Sequence, residues 1–243
     1  MGQTTSDEKE LLNSAKWYYQ LKEYDEMVKK LLMAIEKGSS IAMSKLGKYY
    51  FEIKDYDNMM KYFLMAIEKG NSDAMNNLGV YYHYKKDYPN MMKYYLMAIK
   101  LGNLTAITNL GKYYFEIKDY DNMMKYYLMA IEKQYSPAMN NLGLYYYHQK
   151  DFDNMKTYFI MAIDYENTDA MINFAKYYEE QDDFDNMMKY YKKAIYENCD
   201  SNAMYKLGQY YQKKKKINSM LKYYEMARDN GYIIKPKEKY YMI

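Results

Sequence analysis

Cysteine occurs once, at Cys199, so no disulfide can close within the chain, and the expectation is a reducing, cytoplasmic setting. Long hydrophobic runs are missing as well. No stretch reaches the roughly 18 uninterrupted apolar residues that a membrane-spanning helix needs, and the first residues hold no apolar signal segment, which argues against secretion. Histidine appears only at His83 and His148, both far from Cys199. Neither a metal-ligand cluster nor a phosphate-cradling glycine loop can be found. No catalysis, no cofactor and no metal are therefore expected. The net charge of +3 over 243 residues is too small to point to nucleic acid by itself. Proline (three) and glycine (ten) are scarce beside heavy use of Lys, Asn, Tyr, Ile and Met, a bias that fits an AT-rich genome.

What the chain does have is Tyr (37) and Met (24), which supply much of its 49% apolar content. It also has a block that repeats. Leu46-Gly47-Lys48-Tyr49-Tyr50 opens the block, Lys54-Asp55-Tyr56-Asp57-Asn58 turns it, and Met65-Ala66-Ile67-Glu68-Lys69-Gly70 closes it. It returns from Leu110 to Lys133 with one change, Phe63 becoming Tyr127. Leu78-Gly79, Leu142-Gly143, Phe174-Ala175 and Leu207-Gly208 mark further copies about 32 residues apart, and Ser14-Ala15 marks a worn first one. Seven copies at this period predict a stacked array sharing one continuous core.

Within a copy, Met43, Leu46, Tyr50 and Ile53 recur at helical spacing, and Met59, Met60, Phe63, Ala66 and Ile67 form a second apolar stripe. Each copy thus reads as two helices. Gly47 and its equivalents sit inside the first helix, where Gly costs about 1 kcal/mol against Ala, so close packing by a partner helix is expected there. Asp55 is the expected N-cap of the second helix, and Gly70 suits a left-handed C-cap. Pro89, aligned with Asp57, falls early in a helix, where proline is tolerated. Ser136-Pro137 is expected to supply the N-cap and first residue of the fifth copy. The turn at Asn198-Cys199-Asp200 carries one extra residue, so the last copy should join slightly out of period.

The spacing of Leu46-Gly47, Tyr50, Asp55-Tyr56, Phe63 and Ala66 resembles the tetratricopeptide (TPR) repeat. The stretch from Ala66 to Ala74, leading to Leu78-Gly79, resembles the Sel1-like variant. With its Asn, Lys and Tyr bias the chain is similar to repeat proteins of giant amoeba viruses, for which the setting would be host cytoplasm. The resemblance implies an all-α, right-handed α-solenoid of seven antiparallel helix-turn-helix repeats over residues 11–231, between a flexible terminus (1–10) and a capping tail (232–243). The chain departs from the TPR pattern in carrying Met59, Met91, Met123, Met155, Met187 and Met220 where a small residue is usual. It also lacks the proline between units.

The resemblance further implies a non-enzymatic scaffold whose first helices line a concave face that holds a protein or peptide partner. The residue before each Leu-Gly should point there: Asn13, Asn77, Asn109, Asn141 and Asn173, with Lys45 and Lys206 elsewhere. Such a ladder could exchange hydrogen bonds with a peptide backbone; alternatively the amides are solvated or cap neighbouring backbone. Lys48, Lys112 and Lys176 should share this face, either free for a ligand or paired four residues on with Glu52, Glu116 and Glu180. Phe51, His83, Phe115 and Tyr147 fall there too as candidate anchors. The Tyr pairs and Met stripe read as core. Two other functions stay open. Lys213 to Lys216 with Lys235, Lys237 and Lys239 form a basic end that could touch nucleic acid. Gly2 with Ser6 fits an N-myristoylation pattern, although Asp7-Glu8-Lys9-Glu10 offers no basic patch to complete an anchor.

Overall fold

The computed structural model describes residues 6–232. Gly2, Lys235, Lys237, Lys239 and all but the first residue of the expected capping tail lie outside them. Among the described residues the structure is all helical, in seven antiparallel pairs. The pairs are α1 (Ser6–Gln20) with α2 (Tyr24–Glu36), α3 (Ser40–Glu52) with α4 (Tyr56–Glu68), and α5 (Ser72–Tyr84) with α6 (Tyr88–Lys100). They continue with α7 (Leu104–Glu116) and α8 (Tyr120–Ile131), α9 (Ser136–His148) and α10 (Phe152–Asp164), α11 (Thr168–Glu180) and α12 (Phe184–Asn198), and α13 (Ser201–Lys213) and α14 (Ile217–Asp229). The first helix begins at Ser6, so residues 6–10, expected to be a flexible terminus, are helical.

The turns explain why the hairpins are tight. At the end of α3, Asp55 N–H reaches back to Tyr50 C=O (2.9 Å) and Lys54 N–H to Phe51 C=O (3.1 Å). This is the Schellman arrangement, which requires a left-handed residue between them. Lys54 takes that place with φ +63°, and Lys22, Lys86, Lys118, Lys150, Asp182 and Lys215 do so in the other hairpins. Between hairpins the same motif uses Gly38, Gly70 and Gly102, then Gln134 and Glu166, whereas at left-handed Cys199 each bond spans one residue more, from Cys199 N–H to Ile195 C=O and from Asp200 N–H to Ala194 C=O. The residue that closes one motif caps the next helix: Asp55 Oδ1 accepts from Asn58 N–H (3.1 Å), and Asn71 Oδ1 from Ala74 N–H (2.9 Å). One residue thus ends one helix and starts the next. Asn58 also returns its side-chain amide to Asp55 (2.8 Å). The fifth copy departs from expectation, because Tyr135 and not Ser136 is the N-cap and no side chain fills that role. At the extra residue, α12 runs on to Asn198 and Cys199 turns left-handed.

The close approach expected at the glycines is made by an aromatic ring. A Cβ on Gly47 would lie 2.6 Å from Phe63 Cδ1, and one on Gly79 2.4 Å from Tyr95 Cδ1. Gly143 meets Phe159 and Gly208 meets Tyr224 in the same way. The first hairpin has Ala15 and Leu31 at these positions, both buried. A smaller side chain there leaves space for the methyl.

The chain divides into two compact units, with the boundary between Tyr126 and Tyr127. In the first unit, Leu31, Leu46, Phe63, Leu78, Tyr95 and Leu110 form the buried spine. In the second, Met155, Phe159, Phe174, Tyr191 and Leu207 do so. Inside each unit the first helices of successive hairpins touch, α3 with α5 and α5 with α7 in one, α9 with α11 in the other. Among the described residues no comparable contact joins α2 to α4 or α4 to α6. The first helices α3, α5 and α7 in one unit and α9 and α11 in the other are therefore crowded on one side, while α2, α4 and α6 are splayed on the other.

Candidate interaction face

The crowded side carries the residues singled out in the sequence. Asn77, Asn109, Asn141 and Asn173 are half-buried on α5, α7, α9 and α11. The residue preceding each of them is buried: Asn76, Thr108, Asn140 and Ile172. Two of the ladder amides are used internally. Asn109 Nδ2 donates to Oδ1 of buried Asn76 (3.0 Å), and Asn173 Nδ2 donates to Oδ1 of buried Asn140 (3.0 Å). Neither solvation nor backbone capping describes them. They are polar ties between successive first helices, and they satisfy a buried amide that would otherwise cost about 1–3 kcal/mol. The signal was present as a polar doublet, Asn76-Asn77 and Asn140-Asn141, of which only the second member faces outward.

Lys48, Lys112 and Lys176 are exposed, and the expected pairing four residues on does not form. Among the described residues none of the three takes part in an ion pair. Their glutamates are held from the preceding hairpin instead. Tyr19 Oη donates to Glu52 Oε2 (2.9 Å), His83 Nε2 lies 2.9 Å from Glu116 Oε2, and Tyr147 Oη donates to Glu180. The hydrogen bond from a phenol to a carboxylate holds the proton, so Tyr19 and Tyr147 titrate above the usual tyrosine value, the glutamate bond being the main cause. Held this way, each carboxylate is drawn along the face to the neighbouring helix and leaves its own lysine uncompensated.

The bridging groups recur every second hairpin. In the intervening hairpins the equivalent residues are Phe51 and Phe115, both partly buried. Phe51 meets Tyr81 edge-on at 6.3 Å, His83 meets Tyr113 at 5.8 Å, and Tyr147 meets Tyr177 at 6.4 Å. These candidate anchors are thus half-engaged in the array and half presented to solvent. The Tyr pairs belong to packing: Tyr50 stacks on Tyr62 at 5.6 Å and Tyr82 on Tyr94 at 5.4 Å, within their own hairpins.

In the first unit a cavity of about 160 Å³ opens on this side between hairpins one and two. Its floor is Ala15, Met27 and Leu31, its wall the Tyr19–Glu52 bridge, and its rim Lys16, Lys45 and Lys48. At the basic end, Lys213 lies 3.6 Å from Glu179 and Lys214 sits over the Phe184 ring at 4.5 Å, so half of that run is engaged with the protein's own surface. Among the described residues no group of three or more His, Cys, Asp or Glu side chains could hold a metal. No described helix is long and apolar enough to cross a membrane.

The tetratricopeptide repeat family model matches residues 104–132, 136–169 and 168–198. Among curated proteins none matches the chain in sequence. The fold is similar to that of a Sel1 repeat protein from Oxalobacter formigenes, with 21% identity over 90% of this chain and 99% of that one and a TM-score of 0.63. It is also similar to the immunity protein Pa5087 from Pseudomonas aeruginosa, with 17% identity over 82% of this chain and 85% of that one and a TM-score of 0.63. Pseudomonas aeruginosa 5086 is similar again, at 18% identity, the same coverage of each chain and a TM-score of 0.64. The matched repeats, the seven helix pairs and the Schellman-linked turns agree: among the described residues the chain folds as helix-hairpin repeats, of the tetratricopeptide type over residues 104–132 and 136–198, with a fold similar to that of a Sel1 repeat protein.

Proposed function

We propose that the chain is a non-enzymatic, intracellular scaffold that holds a protein or peptide partner along the first-helix side of its units. Repeat proteins of this family are generally scaffolds for protein–protein interaction. The observation that carries the proposal here is the row of uncompensated lysines beside half-exposed aromatics. Lys48, Lys112 and Lys176 stand free of ion pairs because Tyr19, His83 and Tyr147 hold the neighbouring glutamates. A rigid helical side presenting cations and ring edges loses little conformational freedom on binding. Asn77 and Asn141 are the ladder members proposed to contact the partner directly, with Phe51 and Phe115 as apolar contacts beside them.

Affinity capture from an extract of the native host tests this. The chain should retain a protein partner that Lys48→Glu/Lys112→Glu/Lys176→Glu loses while its helical circular dichroism is unchanged. Undiminished capture by the triple variant would remove the first-helix side from the proposal. These lysines make a cleaner probe than the asparagines, since replacing Asn109 or Asn173 also strips a partner from a buried amide.

A further inference from the structure

The cavity between the first two hairpins differs from later positions in its floor. Where later hairpins place an aromatic ring against the first helix (Phe63, Tyr95, Phe159, Tyr191, Tyr224), the first hairpin has Leu31. The cavity of about 160 Å³ is floored there by Ala15, Met27 and Leu31, so its base is aliphatic. Three cations stand around its mouth, Lys16 on α1 and Lys45 and Lys48 on α3. The one carboxylate in the lining, Glu52, accepts from Tyr19 at 2.9 Å and is pulled to the cavity wall. Among the described residues no ion pair involves any of the three lysines. A small apolar well with an excess of two positive charges, by this count of three lysines and one glutamate, is complementary to an apolar side chain flanked by carboxylates.

The second unit contains the same site without the charge. A cavity of about 150 Å³ there is lined by Leu144, Tyr147, Phe159, Asn173, Lys176 and Glu180 among others. Tyr147, Lys176 and Glu180 repeat Tyr19, Lys48 and Glu52, but Leu144 and Asn173 stand where the first unit has Lys16 and Lys45. The fold itself thus shows which residues the position tolerates without two of its cations.

From this, and resting on the scaffold reading above, we infer that the first-unit cavity is a docking site for an acidic peptide segment. One aliphatic side chain of the segment fills the well, and Asp or Glu residues on either side of it reach Lys16 from one edge and Lys45 and Lys48 from the other. Opposite charges around an apolar contact favour this ligand and reject a basic one.

The test uses the full chain and three fluorescein-labelled, end-capped nonapeptides: glutamates around a central leucine, glutamates around a central alanine, and lysines around a central leucine. Anisotropy should show the first binding tightest, the second weaker, and the third not binding. Affinity for the first should fall as salt rises. Lys16→Leu/Lys45→Asn, which installs the second unit's own residues, should weaken the acidic leucine peptide roughly tenfold, as losing two ion pairs implies. Lys48→Gln, a single exposed change, should weaken it by a smaller factor. Equal binding of the acidic and basic peptides, or an acidic peptide held unchanged by the double variant, overturns the inference. If all three peptides fail while the host partner is still captured through Lys48, Lys112 and Lys176, this docking site is wrong and the scaffold reading stands. If that capture also fails, both fall.

Discussion

At the level of single residues, the turns carry the chemistry that decides stability. An L-residue in the left-handed region costs roughly 1–2 kcal/mol that glycine avoids. The chain uses Gly38, Gly70 and Gly102 at three inter-hairpin turns but Gln134 and Glu166 at two others, with φ +59° and +57°. Gln134→Gly and Glu166→Gly should each raise unfolding free energy by about 1 kcal/mol in urea denaturation. The caps act in the opposite direction when lost. Asn103 accepts from Ala106 N–H (2.8 Å) and donates to Asp73 of the preceding hairpin (2.9 Å), so Asn103→Ala should cost about 1–2 kcal/mol by the same measurement.

The aspartate caps also give the chain an acid limb. Asp55, Asp119, Asp151 and Asp183 are held below the usual carboxylate range, chiefly by the side-chain amide of the asparagine three residues on and then by its backbone N–H. Since the folded value lies below the unfolded one, their contribution is full at neutral pH. It drains away as pH falls through about 4 toward the lower folded value. Thermal unfolding followed from pH 7 downward should show that decline. Replacing the four with Asn, which caps without titrating, should flatten it.

Among the elements, the pairing of helices within a hairpin rests on one ring against one glycine. Gly143→Ala brings about 1 kcal/mol of helix propensity but places a methyl 2.6 Å from Phe159 Cδ1. Overpacking of this kind costs about 1–3 kcal/mol, so the variant should be destabilised on balance. The first hairpin supplies the control. Gly143→Ala/Phe159→Leu reproduces Ala15 and Leu31, and its unfolding free energy should exceed the sum expected from the two single variants. An additive result would mean that the ring and the glycine do not oppose each other. The requirement for a small residue was legible in the recurrence of Gly47, Gly79, Gly143 and Gly208, because a mid-helix glycine repeated at fixed spacing has no local benefit. Its partner was less legible, since Phe63, Tyr95 and Phe159 sit in an apolar stripe where several residues could have faced the gap. The left-handed lysines were invisible to pattern reading. Nothing in a Lys-Asp step announces a positive φ, which is imposed by closing two helices with so few residues.

At the scale of the whole molecule, the helix pairs followed from the period, and the face from which residues the core left over. The pairing on that face did not follow, and the reason is physical. Lys48 and Glu52 are neighbours along one helix, but the carboxylate finds a phenol on the first helix of the preceding hairpin, and spacing within one copy cannot show what the preceding copy offers. Contacts that join mainly adjacent hairpins also predict how the chain responds to shortening. A chain ending at Cys199, without α13 and α14, should keep the helicity of the remaining hairpins by circular dichroism and unfold at lower urea, because Ala203, Met204 and Leu207 no longer cover α12. Loss of helicity throughout would show long-range dependence instead.

The alternation of glutamate with its donor gives the array a parity. Tyr19, His83 and Tyr147 each look forward to Glu52, Glu116 and Glu180, and Phe51 looks forward to Tyr84 across the same interval. Adding or deleting two hairpins keeps every carboxylate opposite a hydroxyl or imidazole. Deleting one internal hairpin breaks the match: without the third, Phe51 faces Glu116, and without the second, Tyr19 faces Tyr84. Lineages of this protein should therefore grow and shrink from these seven hairpins in even steps, and a survivor with an even number of hairpins should carry a compensating change at one of these positions.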